Sequence, residues 1–117
     1  MIAGQMQLAR SGSMVLSGVQ RADNFFERAR GLLGQPSPGE GEGMLFPGCR
    51  SIHTIGMAYV IDLVFLDRQE FIVGLHPILK PYRLALCRKA AAALELACGE
   101  IERLGLRLGD QLLWQQQ

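Results

Sequence analysis

The sequence predicts a mainly β fold, a compact sandwich or barrel of short strands with an N-terminal helix and one short C-terminal helix. Short apolar and β-branched runs alternate with turn signals along most of the chain. Helical spacing is confined to two segments, about 22–33 and 99–105. The chain has 117 residues, which leaves no room for a second core. We therefore expect a single domain over residues 1–117.

The first helix is predicted by an apolar stripe and a terminator. Phe25, Ala29 and Leu32 fall on one helical face, and Gly34 can end the helix. The glycine- and proline-rich segment 34–43 cannot hold a helix or a strand, so it is predicted to be a mobile loop.

The central strand is predicted at Val60–Leu66, which is rich in β-branched and aromatic residues. Both of its faces are apolar apart from Asp62, so we expect the strand to be covered on both sides. Asp67–Glu70 is predicted to be a turn. The chain then returns as a hairpin partner that starts at Phe71 and closes at Pro77.

Two further strands complete the prediction. In the segment 92–96 the alternation places Glu95 on the outward face. Gly109-Asp110 is a turn pair before a last strand at Gln111–Trp114. Glu95 and Asp110 are both expected to be exposed charges.

Charge and cysteine content limit the partners and the compartment. Twelve basic and eleven acidic residues give a net charge of +1, so there is no electrostatic case for binding nucleic acid or an anionic membrane.

Cys49, Cys87 and Cys98 are too few and too irregularly spaced for a disulfide framework. No apolar run is long enough to insert into a membrane. We expect a cytoplasmic location, or export if a signal sequence is missing from this chain.

Four segments in order resemble the signatures of the domain-of-unknown-function family 192. The segments are Arg28-Ala29-Arg30-Gly31-Leu32-Leu33, Gly43-Met44-Leu45-Phe46, Asp62-Leu63-Val64-Phe65-Leu66-Asp67, and Leu94-Glu95-Leu96 followed by Gly99, Gly105 and Gly109-Asp110. Together they cover about residues 22–113. The resemblance implies a small, mostly β domain with a helix near its amino end, and it implies no activity.

The chain is similar to a variant branch of that family with a Cys-x-x-x-His-Thr segment. Many members have a Trp-Met-Lys-Asn-Thr run and a proline before the aspartate. This sequence has His53-Thr54-Ile55-Gly56-Met57 and Val60 instead. Roles attached to the family's tryptophan, lysine or asparagine are therefore not carried over to this chain.

The densest cluster of reactive side chains is the segment 49–57, just after the Pro47-Gly48 turn signal. The function favoured is a non-catalytic module that binds a small molecule or a protein through a polar site near residues 49–62, without a cofactor. The candidate binding residues are Cys49, Arg50, His53, Thr54 and Asp62. The oligomeric state is not predicted.

Two alternatives would make the segment chemically active. Cys49, His53 and Met57 have the ligand order of a blue-copper loop, but the second imidazole is missing upstream, since His76 lies downstream. Cys49, His53 and Asp62 would form a nucleophile, its base and an orienting carboxylate. In an extended segment, residues four apart are separated by about 13 Å, so this pairing needs a tight turn.

Asp62 is also expected to have a structural role. A carboxylate in a covered strand is costly to bury unless donors satisfy it. We expect the donors to be amides of residues 47–57, the Thr54 hydroxyl or Arg50. In this hypothesis Asp62 holds the segment 49–57 in place.

Overall fold

The computed structural model describes residues 1–23 and 37–117, where the chain forms nine strands and one short helix. The strands are β1 (Ile2–Leu8), β2 (Ser13–Arg21), β3 (Glu42–Pro47), β4 (Ser51–His53), β5 (Ile61–Leu66), β6 (Ile72–Leu79), β7 (Leu84–Leu86), β8 (Ala92–Ala97) and β9 (Leu112–Gln116). The helix α1 is Glu100–Leu104, which confirms the prediction near 99–105. The predicted helix at 22–33 lies outside the described residues from position 24 onward.

Seven strands form one sheet in the order β6-β5-β8-β3-β2-β1-β9, and β4 pairs with β7 separately. Within this sheet β2 and β3 run parallel, and the other neighbouring strands run antiparallel. Phe71 and Gln111, the residues just before the edge strands β6 and β9, form an isolated antiparallel bridge. The fold is therefore mainly β, as predicted, and the sheet is not closed into a barrel. Among residues 1–23 and 37–117, the structure contains no helix with the length and hydropathy of a membrane span.

β5 is buried along its whole length, which confirms the prediction that it is covered on both sides. Val64 and Leu66 pack on one side, with buried residues of β1, β2, β9 and α1. Ile61, Leu63 and Phe65 pack on the other side, with residues of β3, β8 and the small β4–β7 sheet. The small sheet thus covers one face of the large one.

Asp62 is fully buried in β5, and two backbone amides satisfy its carboxylate. Oδ1 accepts a hydrogen bond from the Ile78 N–H at 2.9 Å, and Oδ2 accepts one from the Ile101 N–H at 2.8 Å. The prediction that residues 47–57 supply the hydrogen-bond donors for Asp62 was wrong. Asp62 connects β5 to the end of β6 and to the first turn of α1, and it does not hold the segment 49–57.

The bond to Ile78 coincides with a bulge in β6. Between its pairs with Leu63 and Ile61, β6 has one residue more than β5. Ile78 has a φ of 56°, a left-handed conformation that β-branched residues rarely adopt. The predicted strand end at Pro77 was wrong, because β6 continues to Leu79. A proline that falls in a bulge removes no ladder bond, so it does not stop the strand.

Glu95 is buried, with 4% of its surface exposed, so its predicted outward position was wrong. Leu94 and Leu96 face one core cluster, while Glu95 lies on the opposite face, beside Met44 and Leu63 of the neighbouring strands. Burial raises the pKa of Glu95 to about 7. Its Oε2 has no hydrogen-bond partner in the described part of the chain. The alternation identified two faces correctly, but here both are covered.

Asp110 is also buried, contrary to expectation. Its carboxylate accepts hydrogen bonds from the Arg10 guanidinium and the Arg107 amide. The Arg10 hydrogen bond holds the pKa of Asp110 below its ordinary value. Asp110 thereby joins the loop after β1 to the turn before β9.

We expect Asp62→Ala to lower the free energy of unfolding by about 3 kcal/mol, because the Ile78 and Ile101 amides lose their acceptor. Urea denaturation measures the loss, with the exposed Glu102→Ala in α1 as a control. Amide exchange should accelerate at Ile78 and Ile101 and stay unchanged at Thr54. Unchanged stability, or faster exchange at Thr54 alone, would contradict this role.

The raised pKa of Glu95 predicts that the stability of the protein depends on pH. Its folded pKa of about 7 lies above the ordinary value of 4.5, so between these values the folded state keeps a proton that the unfolded state has released. The free energy of unfolding should fall by about 3 kcal/mol as the pH rises through this window, and then level off. Glu95→Gln should remove this loss and Glu102→Gln should not. Parallel stability profiles for wild type and Glu95→Gln would refute the assignment.

Candidate functional site

Three turns meet at one end of the strands of the large sheet. β3 and β5 each run antiparallel to β8, so both end at the side of the sheet where β8 begins. The turn after β3, the turn after β5 and the turn before β8 therefore lie side by side. The Gly48 N–H donates to the Ala91 carbonyl at 2.7 Å, and the Ala91 N–H donates to the Leu66 carbonyl at 2.7 Å.

The three turns enclose a cleft of about 470 Å³, which we call the cationic cleft. It is lined by Gly48, Arg50, Asp67, Arg68, Gln69, Arg88, Lys89, Ala90 and Ala91. Four of these side chains are cationic and one is a carboxylate. The lining of the cleft therefore carries a clear excess of positive charge, whereas the whole chain has a net charge of only +1.

The cations of the cleft are exposed, and none forms an ion pair with any residue in the described ranges. The one carboxylate, Asp67, is engaged in its own turn, where Oδ1 accepts hydrogen bonds from the Gln69 and Phe71 amides at 2.9 Å. Cations grouped around a concave surface create a positive potential that attracts anions. The cleft can therefore bind an anionic group.

The structure does not gather the five predicted site residues around one cavity. Arg50 lines the cationic cleft. Cys49 is half-buried against the core cluster beneath the small sheet, and His53 is exposed on β4 opposite Leu84. Thr54 and Asp62 are fully buried.

Thr54 fixes the turn that leads into β7. Its hydroxyl donates to the Lys80 carbonyl at 2.7 Å and accepts from the Arg83 N–H at 2.8 Å. Its backbone N–H donates to the Arg83 carbonyl at 2.9 Å, and its carbonyl accepts from the Tyr82 N–H at 3.2 Å. The Thr54 side chain is therefore committed to the backbone of residues 80–83.

The two chemically active alternatives find little support in the geometry. Met57 is part of the apolar core, and both carboxylate oxygens of Asp62 are bonded to amides remote from His53. Within residues 1–23 and 37–117, no three or more histidine, cysteine or acidic side chains are grouped so that they could hold a metal ion.

Sequence reasoning missed three residues of the cleft: Arg68, Arg88 and Lys89. One signal was available, because the segment 80–89 has four basic residues and no acidic one. The clustering itself was not visible, because Arg50, Arg68 and Arg88 lie on turns that only the strand order brings together.

The role of Thr54 predicts a difference between two conservative variants. Thr54→Val should lower the free energy of unfolding by about 2 kcal/mol, since it leaves the Arg83 amide without its acceptor. Thr54→Ser keeps the hydroxyl and should lose less. Urea denaturation of both variants tests this, and an equal loss in the two would contradict the hydrogen-bonding role.

Comparison with known proteins places the chain in a family. The family model DUF192, described as "Uncharacterized ACR", matches residues 6–114. A UPF0127 protein of Thermococcus sibiricus is 30% identical over 109 residues, which cover 89% of this chain and 70% of that protein. A UPF0127 protein of Pyrococcus furiosus is 32% identical over 107 residues, covering 88% and 91%.

Two solved structures share the fold. A protein of Sinorhizobium meliloti 1021, described as a candidate transcription regulator, is 26% identical with a TM-score of 0.84, covering 96% of this chain and 93% of its own. A protein of unknown function from Novosphingobium aromaticivorans is 24% identical with a TM-score of 0.80, covering 96% and 84%. From the family match and the curated relatives together, the chain belongs to the DUF192 (UPF0127) family.

Proposed function

We propose that the protein is a non-catalytic binding module and that the cationic cleft takes a small polyanion, such as a phosphorylated or multiply carboxylated metabolite. The observation that carries the proposal is the convergence, from three turns around one concave surface, of four exposed cations that form no ion pair within residues 1–23 and 37–117. It keeps the polar site expected near residues 49–62 at Arg50 and extends that site to the neighbouring turns.

The chemistry of the lining suits such a ligand. Arginine guanidinium groups offer paired N–H donors that match phosphate and carboxylate oxygens. The volume of about 470 Å³ falls within the range of small-molecule sites, about 300–1,000 Å³. Because the cations are exposed, salt should screen their attraction and lower the affinity.

DNA is the competing polyanion, because the similar protein from Sinorhizobium meliloti is described as a candidate transcription regulator. Proteins that bind a duplex neutralise a succession of phosphates along it. Here the cations surround one cleft, and the net charge of the chain is only +1. These observations favour a small ligand over a duplex.

We expect Arg68→Gln/Lys89→Gln to weaken the binding of inorganic pyrophosphate about tenfold, because two charges leave the cleft. Isothermal titration calorimetry measures the affinity, at low and at high salt. Arg107→Gln is the matched control, since Arg107 is an exposed arginine outside the cleft.

Three results would overturn the proposal. In the first, the wild type binds none of pyrophosphate, citrate and nucleoside diphosphate. In the second, the double variant binds pyrophosphate as tightly as wild type. Alternatively, duplex DNA would bind more tightly than every small anion and with a steep salt dependence.

A further inference from the structure

The outer side of the small β4–β7 sheet exposes apolar side chains on β7 beside exposed polar side chains on β4. In β7, Ala85 is buried, whereas Leu84 and Leu86 are 64% and 65% exposed. Tyr82 and Ile55, at the same end of the two strands, are 71% and 58% exposed. We call these four exposed side chains the apolar face. Contiguous exposed apolar residues are a property of interaction surfaces, whereas single ones are common.

The apolar face is held in place from beneath. Tyr82 has a φ of 62°, a conformation that non-glycine residues rarely adopt. The buried Thr54 stabilises this turn through its bonds to the backbone of Lys80, Tyr82 and Arg83. A surface that is ordered before binding loses less entropy when a partner docks.

The charged residues of the two segments that carry the apolar face are all basic. The segments that carry β4 and β7, residues 49–58 and 80–89, contain no aspartate or glutamate. Arg50, Lys80, Arg83 and Arg88 flank the apolar side chains along these two segments. An acidic partner would be complementary to this surface.

A groove at the edge of the apolar face indicates the kind of partner. It has a volume of about 350 Å³ and is lined by Arg50, Ser51, Leu86, Cys87 and Arg88. A carboxylate side chain can enter a groove between two arginines and pair with them.

We propose that the apolar face is a docking surface for an acidic segment of another protein. Apolar side chains of that segment would pack on Tyr82 and Leu84, and a carboxylate would enter the groove between Arg50 and Arg88. The proposal does not require anion binding in the cationic cleft, although Arg50 and Arg88 border both cavities.

A labelled peptide, Glu-Glu-Leu-Ser-Leu-Ser-Leu-Glu-Glu, tests the proposal by fluorescence polarisation with the full chain. Tyr82→Ser/Leu84→Ser should weaken binding about tenfold, since buried aromatic and aliphatic anchors dominate such contacts. Leu108→Ser is the matched control, because Leu108 is equally exposed, at 67%, and lies outside the apolar face. Replacing every Glu of the peptide by Lys, or every Leu by Ser, should also weaken binding about tenfold.

The outcomes separate this proposal from the previous one. Arg68→Gln/Lys89→Gln should bind the peptide as wild type, and Tyr82→Ser/Leu84→Ser should bind pyrophosphate as wild type. The proposal is overturned if the wild type does not bind the peptide, or if the Tyr82 and Leu84 changes have no effect. It is also overturned if those changes abolish binding to anionic phosphatidylglycerol vesicles or self-association in sedimentation while no peptide binds.

Discussion

The position of the Asp62 carboxylate is the constraint on which the rest of the fold depends. It lies in the middle of a strand that is covered on both faces, where an unsatisfied charge would be costly. Two amides from distant parts of the chain satisfy it, one in β6 and one in α1. A single buried side chain thus fixes three elements relative to one another. The unusual conformation of Ile78 is explained by this bond, because the bulge presents its amide to Asp62.

Coverage of both faces of β5 also explains the position of the cationic cleft. The chain between β3 and β5, and the chain between β6 and β8, cross the same face of the large sheet and form the small sheet there. The first segment leaves from the end of the sheet where β3 and β5 end and β8 begins, and the second segment returns to it. Turns are solvated, so they tolerate arginine and lysine without a cost of burial. The same crossing leaves the outer side of the small sheet facing solvent.

The charged side chains discussed above are of two kinds, buried carboxylates and exposed cations. The buried carboxylates of Asp62, Glu100 and Asp110 accept hydrogen bonds from amides or arginines and are structural. Glu95 is also a buried carboxylate but differs from these three. Burial raises its pKa, and its Oε2 lacks a hydrogen-bond partner in the described ranges. The cations of the cleft are exposed and free of ion pairs with the residues described. The structural acids and the candidate binding cations therefore lie in different places, and the net charge of the chain hides both.

The sequence by itself determined the local features of this protein: the mainly β class, the covered central strand, the hairpin after it and the short helix ended by Gly105. These features depend on alternation, β-branching and turn residues close together in the chain. Only the tertiary structure decided which buried acid meets which amide, that both sides of β8 are covered, and that Arg50, Arg68 and Arg88 surround one cleft. The physical reason is that these contacts join residues far apart in the chain. Strand order and register bring them together, and local sequence patterns do not specify either one.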